Sequence, residues 1–515
     1  MTISSLLTLF AVILAIIAFI SENDRRFALL KFSGFDWFIL AFFFVFINYL
    51  IAYNWFRGHL GLLARFEYEG YPIASTYAYL ISVGTLIWLT WKIYKGPFPE
   101  SNKDKLISYY RQLLFKSEYS LLATLIEKYQ LNDIIKYLDK VKTIQVENLT
   151  GLEPYDREAE ERAYNNAINT SQLKIAAGVY GHIINSDAFI EEVANNNPYF
   201  FVGIIEKLDT QRVANKDLID LFVSTLMRTK NKNFFRELRN TYNLTEFDSY
   251  VIDKNTQPIL FSLLNNINVA KINHVWRSIG ELAILEIQED TKQEFSLLRE
   301  STRGNDEEIM WEYRMFNAIV YFDIMIRQAI TVNLDDSLYM AYYWFFTQYI
   351  IENTVSLDLY DESNSIPSKN HKFLQEIVTR QLDWLTCVRK TGNVSLLQSI
   401  CKNIGLCVYE IATTPLLTDK TKEYLIGWIW SDFVLLHIEE DAQQAIVDSA
   451  LNYWIQYFKT PIESLSVSDK RHEYVRVIRY VYDNRDIPKF DGMVASNRVQ
   501  RFLQEVLTPL ENPPA

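Results

Sequence analysis

The chain begins with three long stretches of apolar residues that contain no charged side chain. They cover residues 3–20, 37–56 and 71–91. At about 1.5 Å of rise per residue, a helix over any of them would match the roughly 30 Å hydrocarbon core of a bilayer. The pattern predicts a transmembrane region with three helices within residues 1–95.

A cleaved signal peptide is the alternative for the first stretch. Such a peptide has a basic segment before its apolar core. No Lys or Arg precedes Ile3, and charged residues follow Ile20 instead. We therefore interpret residues 3–20 as a span that the protein keeps.

Lysine and arginine are unevenly distributed among the short segments that flank the three stretches. The segments after the first and third stretches carry Arg25, Arg26, Lys31, Lys92, Lys95, Lys103 and Lys105. The segment between the second and third carries only Arg57 and Arg65. Because basic residues accumulate on the cytoplasmic side, the pattern predicts a multi-pass protein of the inner or plasma membrane. Its N-terminus is expected outside, and everything after the third stretch in the cytoplasm.

Small and polar residues recur at helical spacing inside the apolar stretches. They are Ser4, Thr8, Ala11, Ala15 and Ala18 in the first stretch, Asn48 in the second, and Ala74, Ala78 and Ser82 in the third. Small residues let membrane helices approach closely, and polar residues can hydrogen-bond between helices. We expect these residues to pack the three spans against one another, with self-association of the chain in the membrane as the alternative.

After Pro99 the apolar residues recur every three or four positions, which is the period of an amphipathic α-helix. Such patterns cover residues 121–129, 131–141, 218–226, 272–283 and 305–330. The first two predict a hairpin of two short helices. The last predicts one long helix that begins with a cap formed by Asn305 and Glu308.

Polar and proline-containing clusters separate these patterns. They lie at residues 195–198, 256–258, 361–369, 414–415 and 460–461. Glycine (16) and proline (13) are too few for the turns of a many-stranded β fold. The predicted fold is all-α, with three N-terminal transmembrane helices followed by a large multi-helix domain. That domain is either an irregular α-solenoid or a pair of lobes at residues 100–300 and 305–515.

The formal net charge of −12 restricts the partners that this protein can attract. It argues against broad attraction to nucleic acid or to anionic lipid. A local exception is the basic C-terminal segment with Lys470, Arg471, Arg476, Arg479 and Arg485. We interpret it as a solvated helix face, with contact to a lipid headgroup, an acidic partner or RNA as the alternative.

Residues with the spacing of a catalytic or metal site are not found in the sequence. Gly58-His59-Leu60-Gly61 lacks the lysine of a phosphate-binding loop, and the six histidines are far apart. We interpret Cys387, Cys401 and Cys407 as reduced core residues. No cofactor or metal is therefore expected.

Asp323 is a carboxylate within an apolar helical pattern, and Arg327 follows it by one helical turn. We interpret the two as a structural ion pair, with a tuned acid or base as the alternative. His274, Arg277 and Glu281 are interpreted as one solvated helix face.

Three functions remain. The first is a membrane-anchored helical scaffold or receptor whose cytoplasmic domain binds a protein partner. The second is a membrane effector, toxin-like or defence-type, that oligomerises through its spans to form or gate a pore. The third is an enzyme without a recognisable motif, which the sequence supports least.

Overall fold

The computed structural model describes the chain over residues 22–53, 74–94, 96–150, 170–184, 186–210, 216–243, 250–292, 307–334, 338–354 and 368–427, with residues 298 and 477. The regular elements in these ranges are helices, and no β-strand is present among them. The predicted all-α class is confirmed. The chain divides into two compact units, Met1–Val193 and Ala194–Ala515.

The described helices of the first unit are α1 (Glu22–Leu29), α2 (Gly34–Ile51), α3 (Ala74–Tyr94), α4 (Lys103–Phe115), α5 (Tyr119–Tyr129), α6 (Leu131–Thr150) and α7 (Ser171–Ile184); α8 (Asp187–Asn196) crosses the division. The second unit contains α9 (Tyr199–Thr210), α10 (Lys216–Arg228), α11 (Lys232–Asn243), α12 (Pro258–Leu264), α13 (Ile267–Ile272), α14 (Arg277–Thr291), α15 (Glu307–Met310), α16 (Arg314–Thr331), α17 (Ala341–Glu352), α18 (Lys369–Thr391) and α19 (Val394–Thr413).

Helix α2 begins earlier than the uncharged stretch at 37–56 predicts. Ser33 and Asp36 form a capping box, in which the Ser33 hydroxyl accepts from Asp36 N and the Asp36 carboxylate accepts from Ser33 N. A carboxylate in the first turn also interacts favourably with the helix dipole. The charged residue Asp36 therefore belongs to the first turn of the helix, which begins at Gly34 and not at Trp37.

Among the described helices, α2 is the one that is long and apolar enough to cross a membrane, with a mean hydropathy of 1.9. Helix α3 has 21 residues, but its serine, threonine and tyrosine residues make it less apolar. The predicted span at 3–20 lies outside the described residues. Within the described residues, length and composition identify one candidate span, so the three predicted spans are not confirmed.

Helices α2 and α3 pack against each other through a small apolar cluster. Ile47 and Leu50 of α2, together with Tyr53 just after it, form a buried cluster with Ala74 and Ala78 at the start of α3. The remaining helices of this unit form an amphipathic bundle in which α4 packs on α5 and α7, and α6 packs on α7. The predicted pair at 121–129 and 131–141 corresponds to α5 and α6, although α6 is a 20-residue helix and not a short one.

Helix α16 lies at the centre of the second unit. Almost every side chain from Met315 to Ile330 is buried. It packs against α14, α18 and α11. A helix that is apolar on all sides is stable only where other helices surround it.

The prediction of one helix over residues 272–283 is wrong, because the chain leaves the helical conformation between α13 and α14. His274 has φ +52°, a left-handed conformation that ends α13. Val275 N donates to Ala270 O and His274 N donates to Lys271 O, as in a helix C-terminal cap. His274 therefore does not share a helix face with Arg277 and Glu281, whereas those two residues do form an exposed ion pair of 2.8 Å.

The single helix predicted for 305–330 is also wrong. The chain leaves the helical conformation at Trp311–Tyr313, between α15 and α16. The Asn317 side-chain amide donates to the carbonyls of Trp311 and Tyr313 at 2.8 Å each, which stabilises this turn. Asn305, the expected cap, lies outside the described residues.

The predicted boundary between the lobes at 100–300 and 305–515 stays a prediction; its position lies within the second unit. Helix α14 before it and helix α16 after it pack against each other.

The close contact between α14 and α17 gives a testable prediction about packing. A Cβ at Gly280 would overlap the ring of Tyr342. That ring cannot easily move, because it stacks on Phe322 at 5.1 Å and contacts Trp276 at 5.7 Å. We expect Gly280→Ala to lower the free energy of unfolding of the full chain by about 1–3 kcal/mol in urea denaturation.

Gly203 in α9 is the matched control, because no atom lies within 4 Å of a Cβ built there. Gly203→Ala should raise the free energy of unfolding by about 0.5–1 kcal/mol. Equal effects of the two substitutions would contradict the assigned packing.

Candidate functional site: a basic cleft, a buried ion network and a polar joint

Asp323 of α16 accepts hydrogen bonds from four side chains inside the second unit. Its Oδ1 accepts from Arg327 Nε at 2.9 Å and from Trp384 Nε1 at 2.7 Å. Its Oδ2 accepts from the Tyr250 hydroxyl and from Arg380 Nη1, the latter at 3.3 Å. The predicted pair with Arg327 is confirmed, and the other three partners were not predicted. We call these five residues the ion network.

Further carboxylates balance the two arginines. Arg327 Nη2 donates to Asp383 at 2.6 Å, and Arg380 Nη2 donates to Glu376 at 3.2 Å. Burial alone would lower the pKa of each arginine, but the charge of Asp323 and its neighbours holds both pKa values above the ordinary one. Burial and the Asp323 charge raise the pKa of Tyr250. Arg327 and Arg380 are therefore held as cations and Tyr250 as a neutral phenol, which agrees with the interpretation as a structural ion pair.

Two aromatic rings, those of Tyr242 and Trp311, lie between Arg380 of this network and an open cleft. The guanidinium carbon of Arg380 lies 4.5 Å from the centre of the Tyr242 ring. Tyr242 in turn meets Trp311 edge to face, with ring centres 5.5 Å apart. Trp311 lines an open cleft.

The cleft has a volume of about 490 Å³ and is lined mainly by basic and aromatic side chains. Its lining residues are Lys230, Lys232, Phe235, Arg236, Arg239, Trp311 and Glu312. We call it the basic cleft. It is a concentration of positive charge in a chain whose net charge is −12.

Helix α11 places most of these side chains on one face. Lys232, Phe235, Arg236 and Arg239 follow the spacing of adjacent helical turns. The Asn231 side chain starts this helix by accepting from Asn233 N at 3.0 Å and Phe234 N at 3.1 Å. The spacing of these residues in the sequence already indicates this basic face, although the only basic group predicted from the sequence lies at residues 470–485.

The cations of the cleft differ in their partners. Lys230 pairs with Glu286 at 3.0 Å, and Arg239 pairs with Glu308 at 3.0 Å. Arg236 donates to the neutral side chain of Asn233 at 3.1 Å. Within the described part of the chain, neither Lys232 nor Arg236 has a carboxylate partner.

Glu237 lies on the opposite, buried face of α11 and is 2% exposed. Its Oε2 accepts from Ile259 N at 2.8 Å and from Leu260 N at 2.9 Å, the free amides at the start of α12. Burial raises the pKa of Glu237 to about 7, although these hydrogen bonds oppose the shift.

A second group of polar side chains lies in the first unit. Lys31 is 2% exposed, and its Nζ donates to Ile93 O near the end of α3 at 2.7 Å. The same ammonium lies 4.7 Å from the centre of the Tyr129 ring and 5.5 Å from that of Phe98. Burial and the nearby charge of Lys128 lower the pKa of Lys31 to about 8.

Three further contacts complete this group, which we call the polar joint: Lys31, Asp36, Lys92 and Asn102. Asn102 Nδ2 donates to Leu30 O and Phe32 O at 2.9 and 2.8 Å. Lys92 Nζ lies 3.1 Å from the Asp36 carboxylate. The joint therefore holds together the start of α2, the end of α3 and the chain just before α4.

The residues predicted to pack the spans have different positions. Ala74, Ala78 and Ser82 are buried, and the Ser82 hydroxyl donates to Ala78 O at 2.7 Å. Asn48 is exposed and donates to Phe44 O of its own helix at 2.7 Å, so it makes no bond across a helix interface there. Outside the described residues lie Ser4, Thr8, Ala11, Ala15 and Ala18, and the basic C-terminal group Lys470, Arg471, Arg476, Arg479 and Arg485.

The described cysteines and histidines take part in no group that could hold a metal ion. Cys387, Cys401 and Cys407 are buried free thiols, and burial raises the pKa of Cys401 to about 12 and of Cys407 to about 11. No group of three or more His, Cys, Asp or Glu residues among those described is placed to hold a metal ion. No protein-family model, curated protein or solved structure matches the chain.

The ion network predicts a large effect for one substitution. Asp323→Asn would leave Arg327 and Arg380 buried without their shared counter-charge. We expect it to lower the free energy of unfolding by about 3–5 kcal/mol in urea denaturation. The control is Asp383→Asn, whose side chain is 44% exposed and whose loss should change this free energy by less than about 1 kcal/mol.

Glu237 predicts a pH dependence of stability. Because its pKa in the folded protein is about 7, above the ordinary 4.5, the folded state binds more protons than the unfolded state between these values. This contribution to stability is complete below pH 4.5 and is lost as the pH rises to about 7.

Glu237→Gln should remove this part of the pH dependence, because the amide stays neutral and still accepts from the two backbone N–H groups. Urea denaturation at pH 5 and pH 7.5 should show a smaller difference for this variant than for the wild type. Glu281→Gln, at an exposed site, should behave as the wild type; identical pH dependence in all three proteins would contradict the assignment.

Proposed function

We propose that the protein is a membrane-anchored helical scaffold or receptor. Apolar helices near the N-terminus hold it in a bilayer, and the helical remainder binds a protein partner on the cytoplasmic side. The observation that carries the anchoring is the exposed aromatic face of α2.

That face would be unfavourable in water. Phe35, Phe38, Phe42 and Val45 are 70%, 67%, 57% and 67% exposed. Only 17% of α2 is buried, whereas the core helix of a soluble protein would be mostly buried. Contiguous exposed apolar surfaces of this kind mark membrane or protein contact sites. Lipid is the solvent that suits the whole length of the helix.

The polar joint supports the proposed orientation. The ion pair between Asp36 and Lys92 brings the start of α2 and the end of α3 to the same end of the pair. Lys31 lies at this end too. Since basic residues accumulate on the cytoplasmic side, this end and the helices that follow α3 are proposed to face the cytoplasm.

The joint also favours a receptor over a passive tether. A flexible linker would be enough to tether a domain, and it would not require burial of the Lys31 ammonium. Here α1, α3 and α5 all contact that residue or its neighbours, because Phe27 packs on Tyr129 with ring centres 4.5 Å apart. A firm connection of this kind can transmit a change in the helical bundle to the membrane helices.

Three spans remain part of this proposal, with residues 3–20 as the first. The pore-forming alternative receives less support, because Ala74 and Ala78 are already covered by α2 of the same chain. Partner binding is supported by the helical architecture, since packed helices present extended surfaces for recognition.

Labelling of introduced cysteines tests the anchoring. Phe42→Cys and Phe115→Cys place thiols at two exposed phenylalanines, 57% and 92% exposed, while the native cysteines are buried. In isolated membranes a maleimide should label the Phe115→Cys protein quickly and the Phe42→Cys protein slowly, because lipid excludes water and thiolate. In intact cells an impermeant maleimide should label neither position.

Equal labelling of both positions in membranes would contradict the anchoring, and labelling of the Phe115→Cys protein in intact cells would contradict the orientation. For partner binding, the full chain solubilised in detergent should retain a stoichiometric protein after affinity purification. Recovery of the chain alone, with its helical circular dichroism intact, would overturn the partner-binding part.

A further inference from the structure

The basic cleft contains two cations, Lys232 and Arg236, that no carboxylate of the described residues pairs with. Four cations line it in a chain of net charge −12. Lys232 and Arg236 have no carboxylate partner among the described residues, and Arg239 is paired only with Glu308, which is 81% exposed. Repulsion among such cations is relieved when an anion binds between them.

The floor of the cleft is apolar and rigid. Phe235 and Trp311 are 9% and 7% exposed, so only a small part of each side chain is exposed. Trp311 is fixed by Phe316, with ring centres 4.9 Å apart, and by Tyr242. A fixed apolar floor suits a flat, weakly polar group, whereas an inorganic anion would have no favourable contact with it.

Glu312 adds an acceptor at the rim. Its backbone carbonyl accepts from Lys230 Nζ at 2.9 Å, while its carboxylate has no hydrogen-bond partner in the described ranges. A carboxylate among four cations repels a ligand that is anionic throughout. It favours a ligand that also carries N–H or O–H donors.

We propose that the basic cleft binds a nucleotide. Its phosphates contact Lys232, Arg236 and Arg239, because guanidinium groups bind phosphate oxygens in a bidentate manner. Its base lies against the floor of Phe235 and Trp311, and a base amino or ribose hydroxyl group donates to Glu312. The volume of about 490 Å³ is in the range of small-molecule sites.

This ligand accounts for the three parts of the cleft together. Inorganic phosphate would use the cations but neither the floor nor Glu312. An acidic peptide would also use the cations, but its carboxylates would be repelled by Glu312. The proposal does not depend on membrane anchoring, because all lining residues lie in the second unit.

Fluorescence anisotropy with mant-labelled ATP and GTP tests the proposal on the full chain in detergent. We expect saturable binding of at least one of the two, and displacement by the same unlabelled nucleotide. Inorganic phosphate and a polyglutamate peptide should compete at least about tenfold less well, because they lack the base.

Matched variants distinguish binding in the basic cleft from a general effect of lost positive charge. Arg236→Gln combined with Arg239→Gln should weaken binding about tenfold or more, whereas Arg277→Gln, an exposed arginine outside the cleft, should leave it within about twofold. Both changes are at the surface, and unchanged thermal unfolding confirms that the fold is intact.

Three outcomes would overturn the proposal. They are the absence of saturable binding of either nucleotide, competition by phosphate or polyglutamate that equals that of the nucleotide, and binding by the double variant that equals that of the wild type.

Discussion

A buried charge must be compensated where it lies, and the second unit is organised around one such charge. Asp323 is 0% exposed on the central helix α16, where an isolated carboxylate would cost several kcal/mol. It is compensated by Arg327 on its own helix and by Arg380 on α18, while Tyr250 and Trp384 occupy its remaining acceptor positions. These bonds require α16, α18 and the chain before α12 to meet in one arrangement. Apolar packing alone would tolerate several.

The same constraint acts in the first unit, at the polar joint. Lys31 is removed from water next to the apolar helices, and its ammonium is compensated by a backbone carbonyl and two aromatic rings and not by a carboxylate. This weaker compensation agrees with its lowered pKa. The residues that surround it come from α1, α3 and α5. A helix pair with an exposed aromatic face is thereby connected to a helical bundle without a flexible linker.

The basic cleft shows the opposite situation, because its charges are left without full compensation. Arg236 and Lys232 lie on the exposed face of α11, while Glu237 on the buried face of the same helix fastens α12. One helix thus presents cations to solvent and is held in place by a buried carboxylate. The aromatic residues Trp311 and Tyr242 lie between the cleft and the ion network. These two rings would therefore separate a ligand in the cleft from Arg380 of the ion network.

The sequence by itself determined the helical class, the buried faces of α5 and α10, the ends of helices near Pro198 and Pro258, and the pair of Asp323 with Arg327. All of these depend on residues within one or two helical turns, where the period of 3.6 residues decides which side chains are neighbours. The shared helix face of Lys232, Arg236 and Arg239 can be predicted from the sequence for the same reason. Only the tertiary structure decided that Tyr250, Arg380 and Trp384 meet at Asp323, from 73, 57 and 61 positions away. The tertiary structure also ends the predicted helices at His274 and Trp311, and it places Trp311 next to the cations of α11. Contacts between distant segments depend on how whole helices pack, and no local spacing encodes them.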